Sequence, residues 1–589
     1  MYLGKLEQLG VEQRYLLVER IEQLLSHQYR FACADEEVET LAGFYVGKYY
    51  SRQEHSQGQE SLEVRAEELS LTPGGDERID LSSFATLRVR SGGSEWLCYQ
   101  SLEELGLRSY LLEELKLDEK LVNLGLLNLM GRLIYPVSER KTALWLKEDS
   151  SAIELGDFPQ DSVHGQGLIQ GAVALFSHYQ AIEDYLYGQL EKTLDFEKGP
   201  MLYDLTNTYF EGSGKYNQLA AHGRSKEKRS DCPQVTLGLV LDSSGFPIRS
   251  KVFSGNASEP KTLAEMIEGL NGPQQQTTER HLFKQGKPTI VMDAGIATEE
   301  NINWLKEKQY AYLVVSRKRH RQFSEKEAAV IKEDKDCTVR AYKRINEQTG
   351  EVELYCHSTR REEKEKAIID RFSSRFEEAL GKLNAGLHKK GCTKKYDKVL
   401  LSLGRLKERY PKAAKNYTVT VTHDKKTGNA ARIICKRKES SDSTGSHPGV
   451  YCLRTNQDTW DESTLWKTYT MLTDLEAVFR SLKSELGLRP VFHQKTKRVS
   501  GHLFITLLAY HVIHTIRCQL KKNNIHSSWS GLREQLKGQD RVTVSMKCQN
   551  GDTVHIRKST RPEPRQQIIF DALGLSHYPG RIVRKTVSV

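Results

Sequence analysis

Apolar residues recur at helical spacing from Ser101 to Trp145, through LEELGLRSYLLEELKLDEKLVNLGLLNLMGRLIYPVSERKTALWL, and again from Gly165 to Leu190. Pro136 and Ser138 end one of these helices and start the next. Upstream, helices are predicted over Val11–His27 and Ala34–Lys48, and the cluster Ser91-Gly92-Gly93-Ser94 marks a break. At Gly199 the period shortens from about 3.6 to about 2. MLYDLTNTYFEG carries the β-branched and aromatic residues of a strand, with Leu202, Asp204, Thr206 and Thr208 on one face. Gln234–Leu241 and Phe246–Phe253 flank the turn Asp242-Ser243-Ser244-Gly245 and predict a hairpin. A short helix over Lys261–Leu270 leads to Thr289–Met292, a compact apolar strand of the buried type that runs straight into Asp293-Ala294-Gly295. Thr298 caps a helix with Glu299 and Glu300 in its first turn, and Ala311–Val315 gives a further strand.

From Arg317 to Trp460 the pattern turns charged and heterogeneous. It holds SRKRHRQ at Ser316–Gln322, a charged helix over Glu362–Leu383, the basic KKGCTKKYDK, β-like stretches at Tyr417–Thr422 and Ala431–Lys436, and a flexible return loop at Ser440–Gly449. An insertion domain is the economical reading. The next helix, Trp466–Leu488, organises the rest: at about 100° per residue Leu465, Tyr469, Leu472, Leu475, Phe479, Leu482 and Leu486 share one arc. Glu476 and Lys483 fall within that apolar arc, each seven residues from its predecessor in the series Tyr469, Glu476, Lys483, so the three are expected to stack. A carboxylate facing a core is costly without a cation, a metal or hydrogen bonds. A pair with Arg480 or Lys483 accounts for it, and so does a role as a ligand. Gly501–Ile516 is an apolar helix whose histidines read as core or surface residues, since no carboxylate or cysteine shares their spacing. From Trp529 the order is helix, hairpin over Val542–Ile556, helix.

Length and composition add bounds. At 589 residues the chain exceeds what one core supports. Lys and Arg exceed Asp and Glu by 87 − 77 = 10, which suits an anionic partner without requiring one. Ten scattered cysteines include no C-x-x-C pair, arguing against a zinc ribbon or a disulfide framework and for free thiols in a reducing cytosol. No uninterrupted apolar run approaches the ~18 residues of a membrane span, and the first residues lack a signal pattern, so neither membrane nor export is expected.

Three acids stand where chemistry is plausible: Asp204 in mid-strand, Asp293 just beyond a buried strand, and Glu476 on the later helix. An edge-strand charge facing water is the alternative for Asp204. In a sheet with that helix packed across it the three can converge, and their mutual repulsion is relieved by divalent cations. Hard oxygen donors favour Mg²⁺ or Mn²⁺, and two such ions can activate an attacking oxygen and stabilise a leaving one at phosphorus. The basic loop His222–Asp231, with Arg224, Lys226, Lys228 and Arg229, fits phosphate contact or a solvated surface. Trp460 and Trp466 fit core packing better than stacking on an extruded base.

The segments YDLTNTYFEG, HGRSKEKRSDCPQVTLGLVLDSSGFPI, IVMDAGIAT and YTMLTDLEAVFRSLKSELGLRPVFH resemble the DDE transposases of bacterial insertion sequences over roughly Gly199–Tyr510. The resemblance is to the subgroup with a β-rich insertion before the glutamate helix and a Tyr-x2-Arg-x3-Glu-x6-Lys signature. It implies an α/β ribonuclease H-like core, a triad of Asp204, Asp293 and Glu476 acting as metal ligands, and DNA contacts from Tyr469 and Lys483. The signature arginine position holds Leu472, which cannot make the phosphate contact of an arginine; Arg480, one turn beyond Glu476, is the nearest substitute. Cut-and-paste transposition, terminal inverted repeats and target DNA as partners, a homodimer pairing both ends, and a bacterial cytoplasmic location are implied with it. An inactive DNA-binding descendant and a nuclease that cuts without joining are the competing readings. The expected domains are an N-terminal region (1–92), a helical region (93–195), the core in two parts (196–316 and 461–520) around an insertion (317–460), and a C-terminal region (521–589).

Overall fold

The computed structural model describes residues 79–193, 199–223, 225, 229–269, 287–317, 323–424, 426–438 and 448–588, with a few isolated positions before residue 43. The helices expected over Val11–His27 and Ala34–Lys48 lie almost wholly outside the described residues. The chain divides into two compact units, one made of residues 1–90, 516–535 and 539–589, the other of residues 91–515 and 536–538.

In the first unit, β1 (Ile79–Ser91) is mostly exposed. The second unit begins with the helices Gly93–Glu104, Glu119–Ile134, Glu139–Glu148, Gly165–Phe176 and Tyr179–Thr193. Asp118 caps Glu119–Ile134 by accepting from the Leu121 amide at 3.0 Å. This helix is buried along nearly its whole length and packs closely on Gly165–Phe176. Gly171 makes that approach achievable, because a Cβ there would lie 2.4 Å from the Gly125 backbone nitrogen.

The centre of the unit is a nine-stranded sheet. Its strands are β2 (Met201–Tyr209), β3 (Gln234–Leu241), β4 (Pro247–Ser254), β5 (Thr289–Met292), β6 (Ala311–Val315), β7 (Ala329–Asp334), β8 (Cys337–Ile345), β9 (Val352–Ser358) and, after a small subdomain, β12 (Val450–Thr455). Their order is β4-β3-β2-β5-β6-β12-β9-β8-β7. β2, β3 and β4 pair antiparallel, whereas β5 and β6 run parallel to β2. Tyr203, Leu205, Ile290, Met292, Tyr312 and Val314 face Leu263, Met266 and Ile267 of helix Glu259–Glu268 and Ile302 and Leu305 of helix Glu299–Glu307 in one apolar core. Burial on both faces explains why β5 reads as an unbroken apolar run.

Residues 317–460 differ from the separate body that the sequence suggests. β7, β8, β9 and β12 extend the same sheet, β12 pairing with β6 on one side and β9 on the other. An ion-pair network centred on buried Glu351 ties the two halves: Arg454 pairs with exposed Glu299 at 2.6 Å and with Glu351 at 2.8 Å, and half-exposed Lys306 pairs with Glu351 at 2.6 Å. The part between β9 and β12 has a core of its own, where helices Thr359–Gly386 and Tyr396–Arg409 cover the hairpin of β10 (Tyr417–Asp424) and β11 (Asn429–Arg437) through Phe376, Leu380, Val399, Leu403 and Ile433. Strand pairing across a hundred residues leaves no local periodicity, so the sequence pattern could not report it.

Helix Thr496–Lys522 is long and apolar enough to cross a membrane, yet 94% of its most apolar window is buried within the protein, as in a core helix. His511 Nε2 bonds the Pro247 carbonyl at 2.9 Å and His514 Nε2 that of Ser244 at 2.7 Å, which fixes this helix on the β3–β4 hairpin. In the first unit, β13 (Asp540–Cys548), β14 (Thr553–Ser559) and β15 (Val583–Val587) complete a four-stranded sheet with β1, and Glu563 and Gln566 form a capping box on helix Pro564–Ala572.

Candidate functional site

Parallel pairing aligns Met201 with Ile290, Leu202 with Val291 and Tyr203 with Met292. One residue further on stand Asp204 and Asp293, on neighbouring strands whose axes are about 4.8 Å apart, with side chains on the same face of the sheet. Asp204 is half-buried and Asp293, at the strand end, is exposed. Each carboxylate accepts the amide of the next residue at 2.7 Å, from Leu205 and Ala294 respectively, which orients it without neutralising it. Two further residues, which sequence reasoning missed, shape the Asp293 turn. Arg317 donates from Nε to the Ala294 carbonyl at 2.6 Å and from Nη2 to that of Gly295 at 2.9 Å. Glu259 places Oε2 2.6 Å from where a Gly295 Cβ would stand. The SRKRHRQ charge run was the only signal for Arg317; Glu259 had none, since it precedes the helix expected over Lys261–Leu270 and enters the observed one as its first residue.

The glutamate helix is not the single rod assumed from sequence. It comprises Glu462–Thr470, a break at Met471, Leu472–Arg480, and a π-helical turn over Ser481–Glu485. Leu475, Val478, Phe479, Leu482 and Leu486 are buried while Glu476 is exposed and Lys483 half-buried. Glu476 therefore stands on the flank of the apolar face rather than within it. Segment Leu472–Arg480 packs on β2, the strand of Asp204. Tyr469 feels both acids: burial raises its phenol's pKa above the usual value, the charges of Asp293 and Glu476 raise it further, and Arg361 opposes them. Tyr469 also sits 6.2 Å, ring to ring, from Tyr451, which carries Arg361 over its face at 4.8 Å and accepts a 2.7 Å bond from Trp466 Nε1. Trp466 is thus used in packing.

Among the described residues neither Asp293 nor Glu476 has a salt-bridge partner. The register brings Asp204 and Asp293 to neighbouring strand positions and the Glu476 helix lies on the same strand, yet the three carboxylates do not have ligand oxygens all within 4.8 Å of one another as they stand; by chemistry alone, three oxygen donors suit hard divalent ions. Of the candidate DNA contacts, Tyr469 borders the acids, and Arg480 is exposed in the last turn of Leu472–Arg480. Arg229 is engaged elsewhere, forming a double hydrogen bond with Asp231 at 2.9 Å and lying 4.7 Å over the Tyr209 ring. Arg224, Lys226 and Lys228 lie outside the described residues, as do Lys318, Arg319 and His320.

A family model described as Transposase DDE domain matches residues 201–512. Comparison with curated proteins returns no match.

Proposed function

Since the chain belongs to the DDE transposase family, whose model covers more than half of it, we propose that it moves a bacterial insertion sequence by cut and paste. The family implies a polynucleotidyl transferase acting on DNA and generally uses divalent metal ions. In our reading the chain cleaves at terminal inverted repeats and directs the freed 3′-hydroxyl into target DNA, as a homodimer that pairs both ends in the bacterial cytoplasm. The observation that carries this reading is the register that sets Asp204 beside Asp293, with the Glu476 helix packed on the same strand. Asp204, Asp293 and Glu476 would hold Mg²⁺ or Mn²⁺, two ions in our reading, which when bound supply Lewis acidity to the attacking and leaving oxygens.

The remaining roles fall to the chain's own groups. Backbone amides of Leu205 and Ala294 hold the aspartates in position before DNA arrives. Arg317 clamps the Asp293 turn through two carbonyls, so the carboxylate cannot swing with the loop. Tyr469 and Lys483, with Arg480 in place of the missing signature arginine, bind phosphate beside the scissile bond. Residues 329–455 are an insertion that widens the sheet, and residues 93–193 are a candidate DNA-binding region.

The test is cleavage of a DNA fragment bearing the inverted repeats that flank the gene, with Mg²⁺, with EDTA, and with Glu476→Ala protein. Metal-dependent cutting at the repeat boundary that Glu476→Ala abolishes is expected, followed by joining to a target plasmid. Binding without cutting in every condition would replace this reading with a repurposed DNA-binding protein, and cutting without joining would replace it with a nuclease.

A further inference from the structure

A second cluster of ligand atoms lies apart from the aspartates. Glu139, at the start of helix Glu139–Glu148, meets His493, from the segment after the glutamate helix, and His502, from helix Thr496–Lys522. One carboxylate oxygen and one ring nitrogen from each histidine all lie within 4.8 Å of one another. His493 Nε2 is 3.0 Å, and His502 Nδ1 3.9 Å, from Glu139 Oε1. The edge of a tetrahedron with bonds of ~2.05 Å is about 3.3 Å, so shifts below an ångström bring these two pairs to ligand spacing. The side chains of Glu139, His493 and His502 are only 9%, 12% and 6% exposed. We propose that Glu139, His493 and His502 form a Zn²⁺-class site that fastens the end of the glutamate helix to the helical region.

The His502 tautomer suits that role, and His493 Nε2, which donates to Glu139 Oε1 at 3.0 Å, gives up that proton to solvent as the metal binds, the ring keeping its proton on Nδ1. His502 Nε2 faces the Leu488 carbonyl at 3.4 Å, and Nδ1 is approached at 3.1 Å by Nη2 of Arg132, which can only donate. The Nδ1 lone pair is therefore directed at the cluster, and the other ring nitrogen is held by a backbone carbonyl, the usual outer partner of a metal-bound histidine. Two imidazoles and a carboxylate prefer zinc-like ions to the magnesium preferred by all-oxygen donors. Arg132 is the competitor: its Nη2 holds the place the metal would take, with Glu139 Oε1 3.6 Å away, while Nη1 reaches the Gly487 carbonyl at 3.4 Å. A cavity of about 110 Å³ lined by Arg132, Glu139, Gly487, His493 and His502 leaves room for Arg132 to withdraw and for a water to complete the coordination.

The gain is mechanical. Residues 487–493 already bind the catalytic sheet, since Thr208 Oγ1 donates to the Leu488 carbonyl at 3.0 Å and the Val491 amide to that of Tyr209 at 2.9 Å. A metal at His493 and His502 locks the far side of the same segment.

The test uses the full chain with Asp204→Ala, Asp293→Ala and Glu476→Ala combined, so that the oxygen site contributes nothing and the outcome is independent of the proposed catalysis. After chelator treatment the protein is titrated with Zn²⁺ and, separately, Co²⁺. One tight equivalent per chain, visible-range Co²⁺ bands of a four-coordinate site, and a shell of two imidazoles with oxygen by zinc X-ray absorption are expected. Adding His493→Ala should remove the bands and weaken Zn²⁺ binding at least a hundredfold with an unchanged circular dichroism spectrum. No stoichiometric Zn²⁺ binding would overturn the proposal and leave Arg132 as the resident cation. A sulfur-containing shell, or binding that survives in the His493→Ala and His502→Ala proteins, would overturn it as well.

Discussion

Replacing Asp293 by Asn tests the geometry of the paired aspartates without relying on turnover. The register brings Asp204 and Asp293 to neighbouring positions, Asp293 just past the end of its strand, and the inter-strand spacing of about 5 Å sets the scale for the separation of their charges. Two unit charges at that distance repel by roughly 0.8 kcal/mol in bulk water and about 3 kcal/mol at an effective dielectric near 20. Asp293 is exposed, which puts the expected value near the lower figure, about 1 kcal/mol. Asparagine keeps the shape and the acceptor for the Ala294 amide and removes the charge. In EDTA at low salt, the Asp293→Asn protein should therefore be more stable than the parent by about 1 kcal/mol, read as a shift of the urea midpoint at constant slope. Mg²⁺ at ten times its dissociation constant should stabilise the parent by about 1.4 kcal/mol and leave the variant nearly unmoved. A variant that is less stable in EDTA would mean that the Asp293 carboxylate serves the turn and not a metal. Equal Mg²⁺ stabilisation of both proteins would show that the ion binds elsewhere.

Three other outcomes follow from the packing. Burial pulls His511 down to about 4, with the Pro247 hydrogen bond opposing and His514 adding to the shift; because the folded value lies below the unfolded one near 6.5, its neutral form stabilises the fold fully above pH ~6.5, and this is lost as pH falls toward ~4. Urea midpoints at pH 7.5 and 5 should differ accordingly, and His511→Gln should flatten part of that dependence. Gly171→Ala drives a methyl group to 2.4 Å from the Gly125 nitrogen; overpacking against backbone should cost about 3 kcal/mol, the upper end of the usual range, and a stability unchanged within 0.5 kcal/mol, taken here as roughly the effect of a neutral surface change, would contradict the close approach. Thr298→Ala removes the side-chain cap on the Asn301 amide and should lower stability by ~1 kcal/mol, measurable by the same titration.

Much of the catalytic half was legible because its signals are local. β2, β3 and β5 combine strand-forming residues with turn chemistry at Asp242–Gly245, and the Thr298 cap and the acids of its helix are written in consecutive residues. The position of Asp293 just past a buried strand was legible for the same reason. Glu476 was read within the apolar arc and stands on its flank: the buried face after Met471 centres on Leu475, Phe479 and Leu482, and a wheel drawn over the whole of Trp466–Leu488 made the arc too wide to separate the two. The merging of β7–β9 and β12 into the central sheet was invisible because partners such as Leu453 and Val315 are far apart in the chain. The same distance hid the carboxylate beside His493 and His502: the histidines looked like core residues only while Glu139, more than three hundred positions earlier, was out of view.

The central claim, that Asp204, Asp293 and Glu476 face one metal centre, is tested most directly by replacing Mg²⁺ with Fe²⁺, generating hydroxyl radicals with hydrogen peroxide while ascorbate returns Fe³⁺ to Fe²⁺, and mapping backbone scission. The account predicts cuts clustered near residues 204, 293 and 476 together, suppressed by excess Mg²⁺ and lost in Asp204→Ala protein. Scission confined to one of those segments, or found only near residues 139, 493 and 502, would contradict it.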